Sequence, residues 1–329
     1  LPIPADTLGT QDIYVDPLWR ITVVLTPLER DLLRSWWVRR LGFIAHAGAS
    51  VISTNQSYSR LEHSLGLFSL VAHFTPGDRI ARAAALVHDI GHLPFSHTFE
   101  GIAGLNHHTL GAARIFELGA VFRRHDVEAA DILAVVEGRR SSALHGAVGL
   151  LKLDHLDSFV RSGRSHGRTR QAPPTTLSRL RLREGAVDTD AGTAEYLLNL
   201  IEAEARLHLS AVNVVATGIM RQLVATVFNG MTAKQREAIV ASTDDQLWAT
   251  LLTDPRTAAL ADGLRRDPAA WKAEEQLPGA TLSPDAVGFQ IDRLYLDTPL
   301  VDGRPLLSVP DLLKKLPTPP VRYLIRRAT

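Results

Sequence analysis

The chain has no cysteine among its 329 residues, which excludes disulfides, zinc fingers and thiolate-held iron–sulfur clusters. It also lacks an excess of either charge. Lys and Arg total 36 against 35 Asp and Glu, a formal net charge of +1, so there is no global electrostatic case for nucleic acid or an anionic membrane. No apolar run approaches the roughly 18 residues that a membrane span needs, and no basic-then-apolar leader, internal repeat or low-complexity tract is present. These absences lead us to expect a cytoplasmic protein without membrane or nucleic-acid partners; a homo-oligomer is compatible with them. What remains is ordinary globular composition, 45% apolar and 22% charged, long enough for one large helical domain or two.

Histidine is the residue present in excess. The chain has 13, and nine fall between His46 and His125 inclusive. Histidine is the commonest metal ligand and titrates nearest neutrality. Isolated ones such as His73, His145 and His166 read as surface or core fillers, but several crowded around an aspartate do not.

Along the chain, Ile21–Leu25 reads as a strand. Thr26-Pro27-Leu28-Glu29 is a helix start, with a capping oxygen, proline at the first position and glutamate at the third; the apolar pattern runs on to about Val38. Further helices are expected at about 61–73, 78–92, 108–119, 127–137, 142–162 and 193–228, with shorter ones from Met231 to Leu260 and a start at Thr243-Asp244-Asp245. Between Arg161 and Arg183 lie seven arginines, no acid and Pro173-Pro174, a pattern that reads first as a solvated basic loop. Beyond Pro284, the alternation in 290–296 and the run Val321–Ile325 suggest a small sheet. The fold expected is mainly α, with a core over 1–170 and a helical extension over 171–329 ending in that small sheet.

The chemistry centres on His88-Asp89, at the end of Ala83–Gly91. Small and aliphatic residues before His88 imply a buried helix, where a His-Asp pair is costly unless partnered. A divalent cation supplies the partner: adjacent helix positions lie about 100° apart, so an ion over their shared edge takes one nitrogen and one oxygen. His63 and Asp154 would complete a set of two nitrogens and two oxygens, which suits Mn, Fe, Co, Ni or Zn without choosing among them.

Three stretches, Arg60–Gly66, His88-Asp89-Ile90-Gly91-His92-Leu93-Pro94-Phe95-Ser96-His97 and Leu153-Asp154-His155-Leu156-Asp157, together resemble the HD-domain superfamily. The resemblance is nearest to its deoxynucleoside triphosphate triphosphohydrolase branch and runs from about Asp16 to Arg161. It implies a helical metal-dependent phosphohydrolase acting on a nucleotide or nucleotide-like phosphate, with Mg²⁺ as an optional companion of substrate phosphates. It assigns His63, His88, Asp89 and Asp154 to one divalent metal and Arg60 to substrate phosphate. His92 and His97 fall where the family's histidines face the scissile phosphate. His108 matches a further catalytic histidine with Glu100 as its acidic partner, while His107 reads as a bystander and His125 as a loop residue before a helix capped by Asp126.

Departures from the family pattern fall on substrate positions: His46, His155, Ser158, Ser162, Glu204 and Val212 stand where Gln, Lys, Tyr, Asp, Arg and Tyr are usual. A carboxylate at 204 repels a terminal phosphate that arginine would clamp, so the expected substrate is not the ordinary deoxynucleoside triphosphate but one with a shorter phosphate tail or a modified nucleotide. Arg206 or the 161–183 arginines are the other candidates for the clamp. The alternative reading is a diiron HD-domain oxygenase, because His108 and His125 lie where such proteins place ligands for a second metal.

Overall fold

The computed structural model describes residues 8–276 and 286–328. An antiparallel hairpin of Ile13–Val15 and Thr22–Val24 leads into the helix Pro27–Arg34, whose capping box forms as expected between Thr26 and Glu29. The apolar stretch does not continue unbroken: Ser35 takes extended geometry, and Trp36–Arg40 is a separate short helix. The core is built from Arg60–Phe74, Arg79–Val87, His107–Glu117, Ala129–Val136 and Leu153–Ser165, packed around Leu67, Phe68, Leu86, Ile115 and Leu156. Ser59 and Glu62 form a second capping box, and Asp78 and Asn106 accept from the first-turn amides of their helices.

Four expectations need correction. The helix before the His-Asp pair ends at Val87, so His88 is its cap and Asp89 lies in the following turn rather than on a shared helical edge. Residues 142–152 are not helical. Leu151 donates to Thr298 and accepts from Val187, so this segment pairs with strands, and the helix begins only at Leu153 with Asp154 in its first turn. The pattern over 193–228 is two helices, Ala191–Leu209 and Ala211–Phe228, broken where Ser210 is extended. Asp126 has a positive φ of 54° and caps nothing; the next helix, Ala129–Val136, follows Glu128.

A small sheet pairs Arg181–Arg183 with Ala186–Asp188, which meets Leu300–Val301 through a parallel contact at Asp188 and Leu300. A second sheet places Val321–Arg327 between Trp271–Glu275 and Val287–Ile291, all antiparallel. Pro284, from which a sheet was expected, lies outside the described residues; Val321–Ile325 forms as anticipated, but of the alternation expected over 290–296 only Gln290 and Ile291 are in a strand, and 292–296 are irregular. Ala211–Phe228 is long and apolar enough to cross a membrane by length and composition. Its apolar window is 56% buried inside the fold, where it lines a second core with Leu251, Leu264 and Ile325.

That second core positions the site. Leu93, Phe95 and Phe99, from the loop after the His-Asp pair, are buried in it beside Val214 and Trp248. The loop takes left-handed backbone at Phe95 (φ 53°) and Ser96 (φ 55°), which non-glycine residues adopt only when their surroundings hold them there. Asp244, at the start of Asp244–Thr253, does that holding: its two oxygens accept from the Phe95 amide at 2.6 Å and the Ala45 amide at 2.8 Å. Arg40, 1% exposed, donates to the carbonyls of Val240, Ala241 and Ser242 and to that of His92.

Candidate metal and phosphate site

His63, His88 and Asp154 come from three separate elements, and their ligand atoms lie within 4.8 Å of one another. Each is held by a further partner. His63 Nδ1 donates to Asp157 at 2.9 Å, leaving Nε2 3.1 Å from Asp154 and 3.9 Å from Asp89. Asp157, fully buried, also accepts from the Trp19 indole at 2.7 Å and from two nitrogens of Arg161 at 2.9 and 3.0 Å. Gly66 makes this approach possible, since a Cβ there would meet Asp157 Oδ1 at 2.1 Å. His88 Nδ1 donates to the Ala85 carbonyl at 2.8 Å, which fixes its tautomer and directs Nε2 to the cluster.

This set fits a divalent cation. The Nε2 of His88 is buried with no hydrogen-bond partner and stands 3.3 Å from Asp89 Oδ1, an expensive arrangement for a lone pair without an ion to accept it. The local field favours positive charge. Burial would lower His63, but hydrogen bonds to Asp154 and Asp157 outweigh it and push it up to about 9. Asp154 and Asp89 are held well below the carboxylate range against the opposing effect of burial, by Lys152 and His63 in one case and by Arg60, His88 and His92 in the other. Asp89 stands at the cluster's edge, one oxygen accepting from Arg60 at 2.8 Å and the other facing both His88 and His92.

A second histidine group adjoins the first. His92, His97 and His107 have ring centroids 4.3–4.8 Å apart, and Glu100 accepts from His107 Nδ1 at 2.9 Å and from the His107 amide at 3.2 Å. The acidic partner therefore serves His107, not His108 as expected. Asn106 starts the helix, which turns His107 and His108 about 100° apart, so only one of them faces Glu100. Gly91 lets the His-Asp turn lie against this helix, for a Cβ at Gly91 would strike the His107 carbonyl at 2.1 Å. His108 lines the same cavity without touching Glu100 and is lowered by partial burial and by His107. Burial, followed by Arg60, lowers His92 to about 3, while desolvation and then His92 and Arg60 hold His97 well below its usual value; both are neutral at pH 7.

The ring nitrogens of these three histidines also lie within 4.8 Å of one another, close enough to suggest a metal. However, the rings of His92 and His107 are stacked, 13° from parallel at 4.3 Å, and in-plane lone pairs on parallel rings run side by side instead of converging on one ion. His125, the other residue that suggested a second metal, donates from Nε2 to Asp31 at 2.9 Å and does not line this cavity.

Both groups open into one cavity of about 650 Å³. Its wall includes the expected His46, Arg60, His155, Ser158 and Glu204. Ser162 is 2% exposed and sits behind the wall, donating to Glu204 and accepting from Gln56 at 2.6 Å. Val212 is 44% exposed and does not line the cavity, which instead receives Asn213 and Thr217 from the same helix. His46 stacks on Tyr58 at 5.0 Å and stands 3.3 Å from Ser158. Arg161, read as part of a basic loop, is buried on Asp157, and the helix carrying it runs to Ser165.

Sequence reasoning missed several residues here. Asp157 was quoted in the last motif without a role, although Asp154-x-x-Asp157 places both carboxylates within one helical turn. Gln56 and Tyr58 precede the first motif and carry no signal of their own. His145, read as a filler, lines the cavity, as do Lys152, Arg293 and Tyr295.

The fold is mainly helical and gathers His and Asp side chains that could hold a metal ion, and residues 60–187 match the HD domain family model. Among curated proteins, the chain is 31% identical over 117 residues to the uncharacterized protein YwfO of Bacillus subtilis, a match covering 32% of this chain and 27% of that protein. It is 40% identical over 87 residues to the deoxyguanosinetriphosphate triphosphohydrolase-like protein 1 of Mesorhizobium japonicum, covering 23% of this chain and 20% of that one. The chain thus spans about a quarter of the length of the curated relatives it matches. The whole fold is shared with a phosphohydrolase from Bacteroides thetaiotaomicron at TM-score 0.69 and 15% identity, covering 97% of this chain and 100% of the other. A hypothetical protein from Aquifex aeolicus matches equally, at TM-score 0.69 and 16% identity over 96% of each chain.

Proposed function

We propose that the protein is a metal-dependent phosphohydrolase that removes phosphate from a nucleotide or nucleotide-like substrate. The observation that carries this reading is that one cavity is lined both by His88 and Asp154, of the oriented His63–His88–Asp154 set, and by the Glu100-bound His107 with the neutral His92 and His97. One divalent ion, held by His63, His88 and Asp154 with Asp89 beside them, would polarise a phosphoryl oxygen and lower the pKa of its bound water.

The chain's own groups supply the rest. Arg60 is fixed by Asp89 and by Ser96 Oγ at 2.9 Å, so its guanidinium is held at the ion site, oriented for phosphate oxygens. Neutral His97 can donate one N–H to the substrate, while the single N–H of neutral His92 is committed to Asp89 at 3.2 Å. His107, with Nδ1 on the ionised Glu100, can carry a proton on Nε2 and pass it to the leaving oxygen. In the cavity wall Glu204 accepts from Gln56 at 3.1 Å and from Ser162, an environment for hydroxyl or amino groups and not for a terminal phosphate. This supports a substrate other than an ordinary deoxynucleoside triphosphate.

The test is a phosphate-release screen over nucleoside mono-, di- and triphosphates with Mn, Fe, Co, Ni and Zn, on wild type and Asp89→Ala. One ion per chain and release abolished by the substitution are expected. Two ions per chain with oxygen consumption would favour the diiron oxygenase. Preference for a standard deoxynucleoside triphosphate would remove the argument from Glu204.

A further inference from the structure

Three cations line the cavity: Arg60, Lys152 and Arg293. Two are already committed to carboxylates, Arg60 to Asp89 at 2.8 Å and Lys152 to Asp154 at 3.0 Å. Arg293 has no carboxylate within 4.0 Å among the described residues. The other arginines considered for a clamp are spent elsewhere. Arg206 donates to Glu202 at 2.7 Å and to the Lys315 carbonyl, Arg161 is on Asp157, and none of the 161–183 arginines lines the cavity.

Arg293 is nevertheless held in place. Its guanidinium lies over the Tyr295 ring at 4.8 Å and donates to the Tyr295 hydroxyl at 2.8 Å. That ring is wedged between His97 at 6.4 Å and His155 at 5.7 Å. Two residues further on, Asp297 meets His155 Nδ1 at 2.5 Å, tying the segment to the helix that carries Asp154. The C-terminal segment therefore presents an exposed, oriented guanidinium without a carboxylate partner at the cavity wall, opposite in charge to the more buried carboxylate of Glu204.

We propose that Arg293 is a substrate-binding residue that receives a second anionic group, a further phosphate or a carboxylate, lying beyond the scissile phosphate. This rests on the phosphohydrolase reading and orients the substrate: the anionic tail faces Arg293, and the hydroxyl-bearing part faces Gln56 and Glu204. A forked guanidinium gives two parallel hydrogen bonds to such a group, which a lysine cannot reproduce.

Inorganic pyrophosphate and orthophosphate serve as probes, titrated calorimetrically into metal-loaded wild type, Arg293→Ala and Arg293→Lys. Thermal unfolding and metal content of each variant serve as controls. Because the side chain is exposed, both variants should fold and keep their metal. Arg293→Ala should weaken pyrophosphate binding by about tenfold and orthophosphate much less, with Arg293→Lys in between. If wild type binds pyrophosphate and Arg293→Ala binds it equally well, the clamp is wrong and the hydrolase reading stands. If wild type binds neither anion and releases no phosphate from any ester, both fall together.

Discussion

Replacing Asp157 tests whether the buried acid beneath His63 organises the metal site. Asp157→Ala removes an acceptor for four donors at once: the Trp19 indole, His63 Nδ1 and two nitrogens of Arg161. Arg161, 6% exposed, would keep only Asp16 at 3.8 Å as a carboxylate neighbour. Breaking a buried pair by removing one partner costs about 3–5 kcal/mol, because the other charge stays buried. The unpaired indole adds about 1–3 kcal/mol, although the two losses share one cavity and will not sum fully. We therefore expect a fall of about 4 kcal/mol in unfolding free energy, a large part of the stability of an ordinary domain. The gentler Asp157→Asn keeps an acceptor for His63 but loses the charge that Arg161 faces. It should fold, with metal affinity about 10- to 100-fold weaker because the ligand imidazole is less basic and less firmly oriented. Urea unfolding at neutral pH measures the first effect, and metal titration against a competing chelator the second. An alanine variant within about 0.5 kcal/mol of wild type, or an asparagine variant with unchanged metal affinity, would refute the reasoning.

The pairing of Glu100 with His107 predicts that His107→Ala loses about 10²- to 10⁴-fold in kcat while retaining its metal, whereas His108→Ala loses less than about tenfold; elemental analysis alongside steady-state rates separates them. Asp244 predicts a pH dependence of stability. Burial raises its carboxyl to about 6, although the two amides it accepts from and nearby Arg40 oppose that rise. The folded state thus holds the proton more tightly than the unfolded state, and the residue's contribution declines as pH climbs from about 4 to 6, then levels off. The stability difference between wild type and Asp244→Ala should shrink across that window, by an amount on the order of 2 kcal/mol, in urea titrations at pH 4, 5, 6 and 7.5. A difference that grows with pH would contradict it.

Where structure depends on neighbours in the chain, the sequence alone determined it. Thr26 and Glu29 cap a helix through atoms three residues apart, and the helices at 60–74 and 129–136 follow from their own apolar spacing. The gathering of His63, His88 and Asp154 was legible because a buried His-Asp pair is costly unless partnered, and His63 and Asp154 stand in motifs that carry the family resemblance. The arginine-rich stretch and the segment 142–152 were misread because their local composition is silent about partners: Arg161 turns inward only because Asp157 and Asp16 wait there, and Leu151 extends only because Thr298 and Val187 arrive beside it. Tertiary structure alone chose His107 over His108, through the packing of Gly91 against the helix that Asn106 starts. It alone brought Arg293 and Tyr295, about 200 residues from His92, to the cavity. A hydrogen bond or an ion pair is a matter of distance in space, and sequence reports that distance only within a helical turn or a tight loop.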